Sequence, residues 1–198
     1  MCAEKNTRLS RAGLTKLMKF LDNMGTGLAA CLEEFDLMTS KYLGMKLFVA
    51  VSRQAAKHMH LDAGISKGAV YAGLNLGFLT KNMFIPSPWL FEIIYKCVNT
   101  YISAVEVKER GVKAFLYGND ILLQSVEKVY PPIAKRMFVA VVDASDGRVV
   151  GVALALYGQD ELQTLLSRLR EGSEDPNKVV MKNILDIGCF VRRCVPRV

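Results

Sequence analysis

Histidine is nearly missing from this sequence: only His58 and His60 occur in 198 residues. Neither has the spacing of a metal motif, and the five cysteines include no C-x-x-C pair, so zinc-ligand patterns are not expected. There is no G-x-x-x-x-G-K-[ST] loop and no G-x-S-x-G elbow, the signatures of phosphate-binding and serine-hydrolase sites. The adjacent acids Glu33 and Glu34 lie at a turn and point apart, which suits solvation better than acid–base work. The chain is therefore expected not to be an enzyme. No catalytic residue, metal site, cofactor or small-molecule substrate is assigned. No apolar run reaches the roughly 18 residues of a membrane span; Leu47–Val51 and Met137–Val142 are strand-sized. Residues 1–8 carry charge with no apolar stretch behind it, so a secretory signal is not expected. With an odd cysteine count and no export signal, Cys2, Cys31, Cys97, Cys189 and Cys194 read as reduced thiols.

What is present is a globular composition, 51% hydrophobic and 23% charged, with 26 Lys/Arg against 19 Asp/Glu and a net charge of +7. An excess of that size is compatible with a polyanionic partner. Its distribution says more. Gln159–Asp175 is acidic, with Asp160, Glu161, Glu171, Glu174 and Asp175 against Arg168 and Arg170. The tail that follows is basic, with Lys178, Lys182, Arg192, Arg193 and Arg197 against Asp186 alone. Such segregation could build two faces of opposite sign.

Leu14, Leu17, Met18 and Leu21 recur at i, i+3, i+4, i+7, which predicts an amphipathic helix over 10–23 capped by Ser10. Phe35–Met38 and Leu47–Val51 read as strands, with Tyr42-Leu43-Gly44 between them. Ser52 is placed to cap a short helix through Lys57 and Met59. Ala69–Leu79 reads as a strand interrupted by Gly73 and Gly77, and glycine inside a strand marks a bulge or a close backbone approach. Met83–Ile85 is a further strand. Ser87 then caps a helix opened by Pro88 and carrying Trp89, which reads as core. A domain boundary is placed near Asn99–Tyr101, with no long linker. Beyond it the elements are short: a strand over Ile102–Val107, a helix over Arg110–Leu116, and a turn at Tyr117–Asp120. Strands over Met137–Val142 and Arg148–Tyr157 flank the hairpin segment Asp143–Gly147. A helix carries Leu162, Leu165, Leu166 and Leu169. Val179–Met181 is a strand, and Ile184–Val191 closes the chain.

Three stretches carry a resemblance to a known family. Phe115-Leu116-Tyr117-Gly118-Asn119 is followed by the apolar pair Ile121-Leu122. Asp186-Ile187-Gly188-Cys189-Phe190-Val191-Arg192 lies near the end. Gly73-Leu74-Asn75-Leu76-Gly77-Phe78-Leu79-Thr80-Lys81 lies in the first half. In this order they resemble the Nip-seven family of large-ribosomal-subunit assembly factors, over most of residues 45–198. The first 45 residues match poorly. Two departures stand out: Gln124–Val129 lacks the glycine of the RNA-approaching loop of many PUA modules, and the 158–177 loop is long and acidic.

The resemblance implies an α+β protein. A mixed N-terminal pre-PUA domain, 1–100, would pack on a C-terminal PUA-type β pseudo-barrel, 101–198. It implies a non-enzymatic RNA-binding adaptor in large-subunit biogenesis and pre-rRNA processing. Pre-ribosomal RNA and other pre-large-subunit assembly factors would be its partners, with no membrane involved. The chain would act as a monomer in the nucleus and nucleolus, with some in the cytoplasm. RNA contact is expected from Lys113, Gly118, Asn119, Lys182, Arg192 and Arg193, joined by Lys135 and Arg136. Three alternatives stay open. One is a translation factor of the small subunit, related to the malignant T-cell amplified protein. The others are an RNA-modifying enzyme and a protein-interaction module whose RNA face has decayed.

Overall fold

The structure is a computed structural model that describes residues 7–8, 10–42, 45–53, 73–192 and 195–197. The helix expected after Ser52 through Lys57 and Met59, His58, His60, Cys2, Arg193 and Cys194 lie outside the described residues. The chain divides into two compact units, Met1–Val98 and Asn99–Val198.

In the first unit, helix α1 (Arg11–Met24) begins where Ser10 accepts a hydrogen bond from the Gly13 amide at 3.3 Å. Its buried stripe is Gly13, Leu17, Leu21 and Met24, whereas Leu14, expected in that stripe, is exposed. A 3-10 turn (Leu28–Leu32) follows. Five strands form one antiparallel sheet in chain order: β1 (Thr7–Arg8), β2 (Phe35–Tyr42), β3 (Met45–Ser52), β4 (Leu74–Leu79) and β5 (Phe84–Pro86). Phe48 and Phe84 meet edge to face at 5.3 Å, and Phe20 joins Phe84 at 5.6 Å.

The glycine-interrupted strand has a bulge. Phe48 pairs with Gly77 but Val49 with Asn75, so Leu76 is the extra residue. Gly77 has φ +152°, and a Cβ there would stand 2.3 Å from the Ile85 carbonyl oxygen. Helix α2 (Pro88–Val98) starts at its proline as expected. Ser87, expected to cap it, instead donates its hydroxyl to the Asn75 carbonyl.

The reduced state expected for the cysteines is corrected here. Cys31 in the 3-10 turn and Cys97 near the end of α2 form a disulfide with a Cα–Cα distance of 5.6 Å, in the ordinary range for such a bond. Packing of the two elements brings together sulfurs 66 residues apart in sequence. Cys189, in the second unit, is disulfide-bonded as well.

The second unit contains β6 (Ala104–Val107), α3 (Glu109–Leu116), β7 (Ile121–Leu122), β8 (Val126–Tyr130), β9 (Phe138–Asp143), β10 (Val149–Ala155), α4 (Gln159–Arg170), β11 (Val179–Asp186) and α5 (Ile187–Arg192). The six-stranded sheet runs β7-β11-β10-β9-β6-β8, antiparallel except for β6 beside β9. Its outermost strands, β7 and β8, are joined by only the 3-10 turn Leu123–Ser125. A flat six-stranded sheet would place them on the order of 24 Å apart. Three residues cannot span that distance, so the sheet curls into a half-barrel around one core. Val105, Phe115, Leu123, Val141, Ala153 and Met181 fill it, and Leu162 and Leu165 of α4 cover it. This is the α+β, PUA-type architecture expected for the second half.

Two local readings change. Gln124–Val129 is not a loop; it forms the 3-10 turn and the start of β8. Ile184–Val191, which closes the chain, is not one element. β11 ends at Asp186 and the chain turns into α5 at Ile187, so the apolar, β-branched run hides a change of element.

Candidate nucleic-acid interface

Helix α3 is fixed from below by close packing. A Cβ on Gly111 would lie 2.6 Å from the Ser125 Cβ, and one on Gly151 of β10 would lie 2.3 Å from the Phe115 ring. The only side chain fitting either place is a hydrogen atom. At its C-terminal end the orphan carbonyls of a helix need donors, and the last strand supplies them. The buried Asn183 amide donates to the Phe115 carbonyl at 2.7 Å and the Asn119 carbonyl at 3.3 Å. Its backbone N–H donates to Asp120 Oδ1 at 2.8 Å. Arg192 donates from Nη1 to the Leu116 carbonyl at 2.6 Å and from Nη2 to both oxygens of buried Asp186. Arg197 donates to the Gly118 carbonyl and is anchored through its own N–H to Ile184 at 2.9 Å. The Phe115–Asn119 stretch and the D-I-G-C-F-V-R stretch, some 70 residues apart in sequence, thus build one structure.

Gly118 occupies the left-handed region at φ +92°, which explains glycine there. Asn119 is exposed, and its backbone N–H returns to Ala114 at 3.1 Å. Lys113 is exposed on α3 and ion-paired with Glu109 at 2.6 Å; the hydrogen bond and charge of Lys113 hold the Glu109 carboxyl below the usual glutamate range. Lys113, Gly118, Asn119 and Arg192 therefore lie together. Lys182 is exposed on the face of β11 opposite to Asn183. Lys135 and Arg136 are exposed in the loop before β9, and the Arg136 N–H donates to Ala155 at the far end of β10 from Gly151. Three of the expected cations are thus not gathered at the end of α3.

Sequence reasoning passed over Arg110, Tyr117 and Arg197. Arg110 and Lys113, spaced i, i+3, share one exposed stripe of α3, and Tyr117, at i+7 from Arg110, is exposed at the residue that ends the helix. Beside that stripe runs a groove of about 800 Å³, between α3 and the β7–β8 connection. Lys108, Arg110, Ala114, Asn119, Gln124 and Ser125 line it. Lys108 faces Glu127 at 3.8 Å, so the acid that would repel phosphate is partly met by a cation. Among the described residues no group of three His, Cys, Asp or Glu is placed to hold a metal ion. No helix among them is long and apolar enough to cross a membrane.

A curled mixed sheet, a helix seated after its first strand, and a last strand bound to that helix's end give the second unit a PUA-type fold. Residues 103–195 match the family model described as the UPF0113 PUA domain. No curated protein matches the chain. Solved structures do. A hypothetical protein of the hyperthermophilic archaeon Pyrococcus horikoshii is 15% identical with a TM-score of 0.63, over 91% of this chain and 93% of that one. A PUA domain structure from Aeropyrum pernix, in complex with tartrate, is 14% identical with a TM-score of 0.62, over 93% and 86%. A conserved PUA domain protein from Thermoplasma acidophilum is 14% identical with a TM-score of 0.58, over 96% and 99%. At these identities the likeness is one of fold, and it extends across both units.

Proposed function

We propose that the chain is a non-enzymatic RNA-binding adaptor in large-subunit biogenesis, working on pre-ribosomal RNA in the nucleus and nucleolus together with other assembly factors. The observation that carries the RNA reading is the α3 end of a PUA domain, where Arg110, Lys113, Arg192 and Arg197 converge around the Phe115–Asn119 turn. PUA domains are typically RNA-binding. The finer reading is supported by family: the UPF0113 model that matches residues 103–195 describes the Nip-seven family, to which the sequence motifs also point.

Phosphate contact should dominate affinity and make it salt-dependent. Filter binding of the full chain to a ribosomal RNA fragment, repeated over a salt series, tests the RNA reading. Arg110 and Lys113 are the residues to reverse to Glu, since both are exposed and neither is packed in the core. Weaker binding and a shallower salt slope are expected; an unchanged slope removes them from the interface. Sedimentation of tagged protein from extract tests the ribosomal reading. Migration with pre-large-subunit particles is expected, and migration with the small subunit would favour a translation factor.

A further inference from the structure

We infer that Tyr117 is a stacking platform for a base of single-stranded RNA, with the exposed Arg110 and Lys113 of the preceding helix α3 receiving the adjoining phosphates. The inference rests on the RNA-binding reading above and assigns the residue that would distinguish single strands from duplex. Tyr117 is 84% exposed, far above the other exposed large hydrophobics, which lie between 36% and 43%. Its side chain has no hydrogen bond, ion pair or ring contact among the described residues, so packing gives no reason for an aromatic residue here.

The ring is nevertheless carried on a fixed backbone. The Tyr117 N–H donates to the Ala114 and Lys113 carbonyls, the next peptide is held by Arg197, and Gly118 has a conformation that few other residues adopt. With the backbone fixed, only the side-chain torsions of Tyr117 remain to be ordered on stacking.

Charge complementarity points to a polyanion. Arg110 and Arg197 have no carboxylate partner among the described residues. Lys113 meets only the exposed Glu109, a pair weak enough to yield to phosphate. The Arg192–Asp186 pair is neutral overall, with Asp186 buried and the Arg192 side chain 41% exposed. The groove beside the stripe shares Arg110 and Ala114 with it and opens at Asn119, whose side-chain amide has no partner among the described residues. Bases of a duplex are already stacked on one another, whereas splayed bases of a single strand offer a face to an aromatic ring.

The test uses the full chain, a ~12-nucleotide single-stranded RNA and the same strand annealed to its complement. Tyr117→Ala and Tyr117→Phe are compared with the unaltered protein over a salt series. Melting of each variant checks the fold, which so exposed a side chain should not disturb. The single strand is expected to bind more tightly than the duplex. Tyr117→Ala should weaken it about tenfold or more with the salt slope unchanged, and Tyr117→Phe should restore binding. Equal binding by Tyr117→Ala, or equal affinity for duplex, overturns the stacking assignment and leaves the RNA reading standing. Failure of the unaltered protein to bind either RNA overturns both.

Discussion

Arg192 donates from one nitrogen to both carboxylate oxygens of Asp186, at 2.7 and 2.9 Å. Asp186 is 2% exposed. The pair, with the 2.6 Å bond from Arg192 to Leu116, fastens the end of α5 to the end of β11 and the end of α3. Arg192→Glu is therefore expected to destabilise the second unit by about 3 kcal/mol or more, because it leaves a buried carboxylate facing another. Arg192→Lys should cost less but still be visible, since one ammonium cannot hold both the Asp186 carboxylate and the Leu116 carbonyl as the two guanidinium nitrogens do. Urea denaturation reads this directly. Wild-type stability in Arg192→Glu would mean the pair is not formed in solution.

Glycine substitutions in the second unit should differ in a predictable order. An alanine at Gly151 would drive its Cβ into the Phe115 ring and to 2.6 Å from the Leu185 carbonyl, a backbone atom that cannot swing away. At Gly118 the nearest obstacle is the Arg197 guanidinium, a movable side-chain end, and the cost is mainly the left-handed backbone. Expected losses are about 1–2 kcal/mol for Gly118→Ala and more for Gly151→Ala, near or above the ~3 kcal/mol of severe overpacking. Thermal melting of the two variants gives the order, and the reverse order would contradict the packing of α3 on β10.

The pH dependence of two surface pairs has a definite sign. Lys113 lowers Glu109 by its hydrogen bond and its charge, and Lys178 lowers Glu174 chiefly by its hydrogen bond. For a depressed carboxyl, the contribution to stability is present above its unfolded pKa and lost as pH falls through its folded one. Lys178 is raised chiefly by its hydrogen bond to Glu174, so its contribution is present below its unfolded pKa and lost as pH rises through the folded one. Carboxyl NMR titration should show Glu109 ionising below the ordinary glutamate range. In Lys113→Ala it should move back up. No movement would mean that the two side chains do not meet in solution.

Removing the Cys31–Cys97 bond should loosen the first unit. It closes a loop with a separation of 66 residues, and constraint of the unfolded chain by such a loop is worth about 4 kcal/mol in the chain-entropy model. Cys31→Ser is expected to lower that unit's melting temperature, and a reducing agent should do the same to the unaltered protein. Mass spectrometry after alkylation counts the pairs present. The count is made on protein from reducing and oxidising preparations alike.

Much of the second unit was legible because its signals are local. The hairpin at Asp143–Gly147, the leucine spacing of α4 and the glycine of the left-handed turn are each written within a few residues. So was the bulge at Gly77. The losses have one common cause. Whether Cys31 meets Cys97, whether Ser87 caps a helix or bonds Asn75, and whether Arg192 faces solvent or Asp186 depend on partners 12 to 66 residues away or on a change of element. Charge on a tail says nothing about which cations are already spent. Tyr117 went unmarked for the opposite reason: its motif drew attention to Gly118 and Asn119, and exposure is not a property that periodicity reports.

The short connection between β7 and β8 has a consequence for the behaviour of the protein at high concentration. The strands at the two margins of the six-stranded sheet are two and five residues long, and the shorter one leads straight into the longer through a 3-10 turn. The longer carries Glu127 and Lys128 toward water. An incoming strand from a second molecule would find too few consecutive backbone groups to template on, and charge where it tried. The same closure that shapes the groove thus guards the domain against intermolecular β-pairing and amyloid-like assembly.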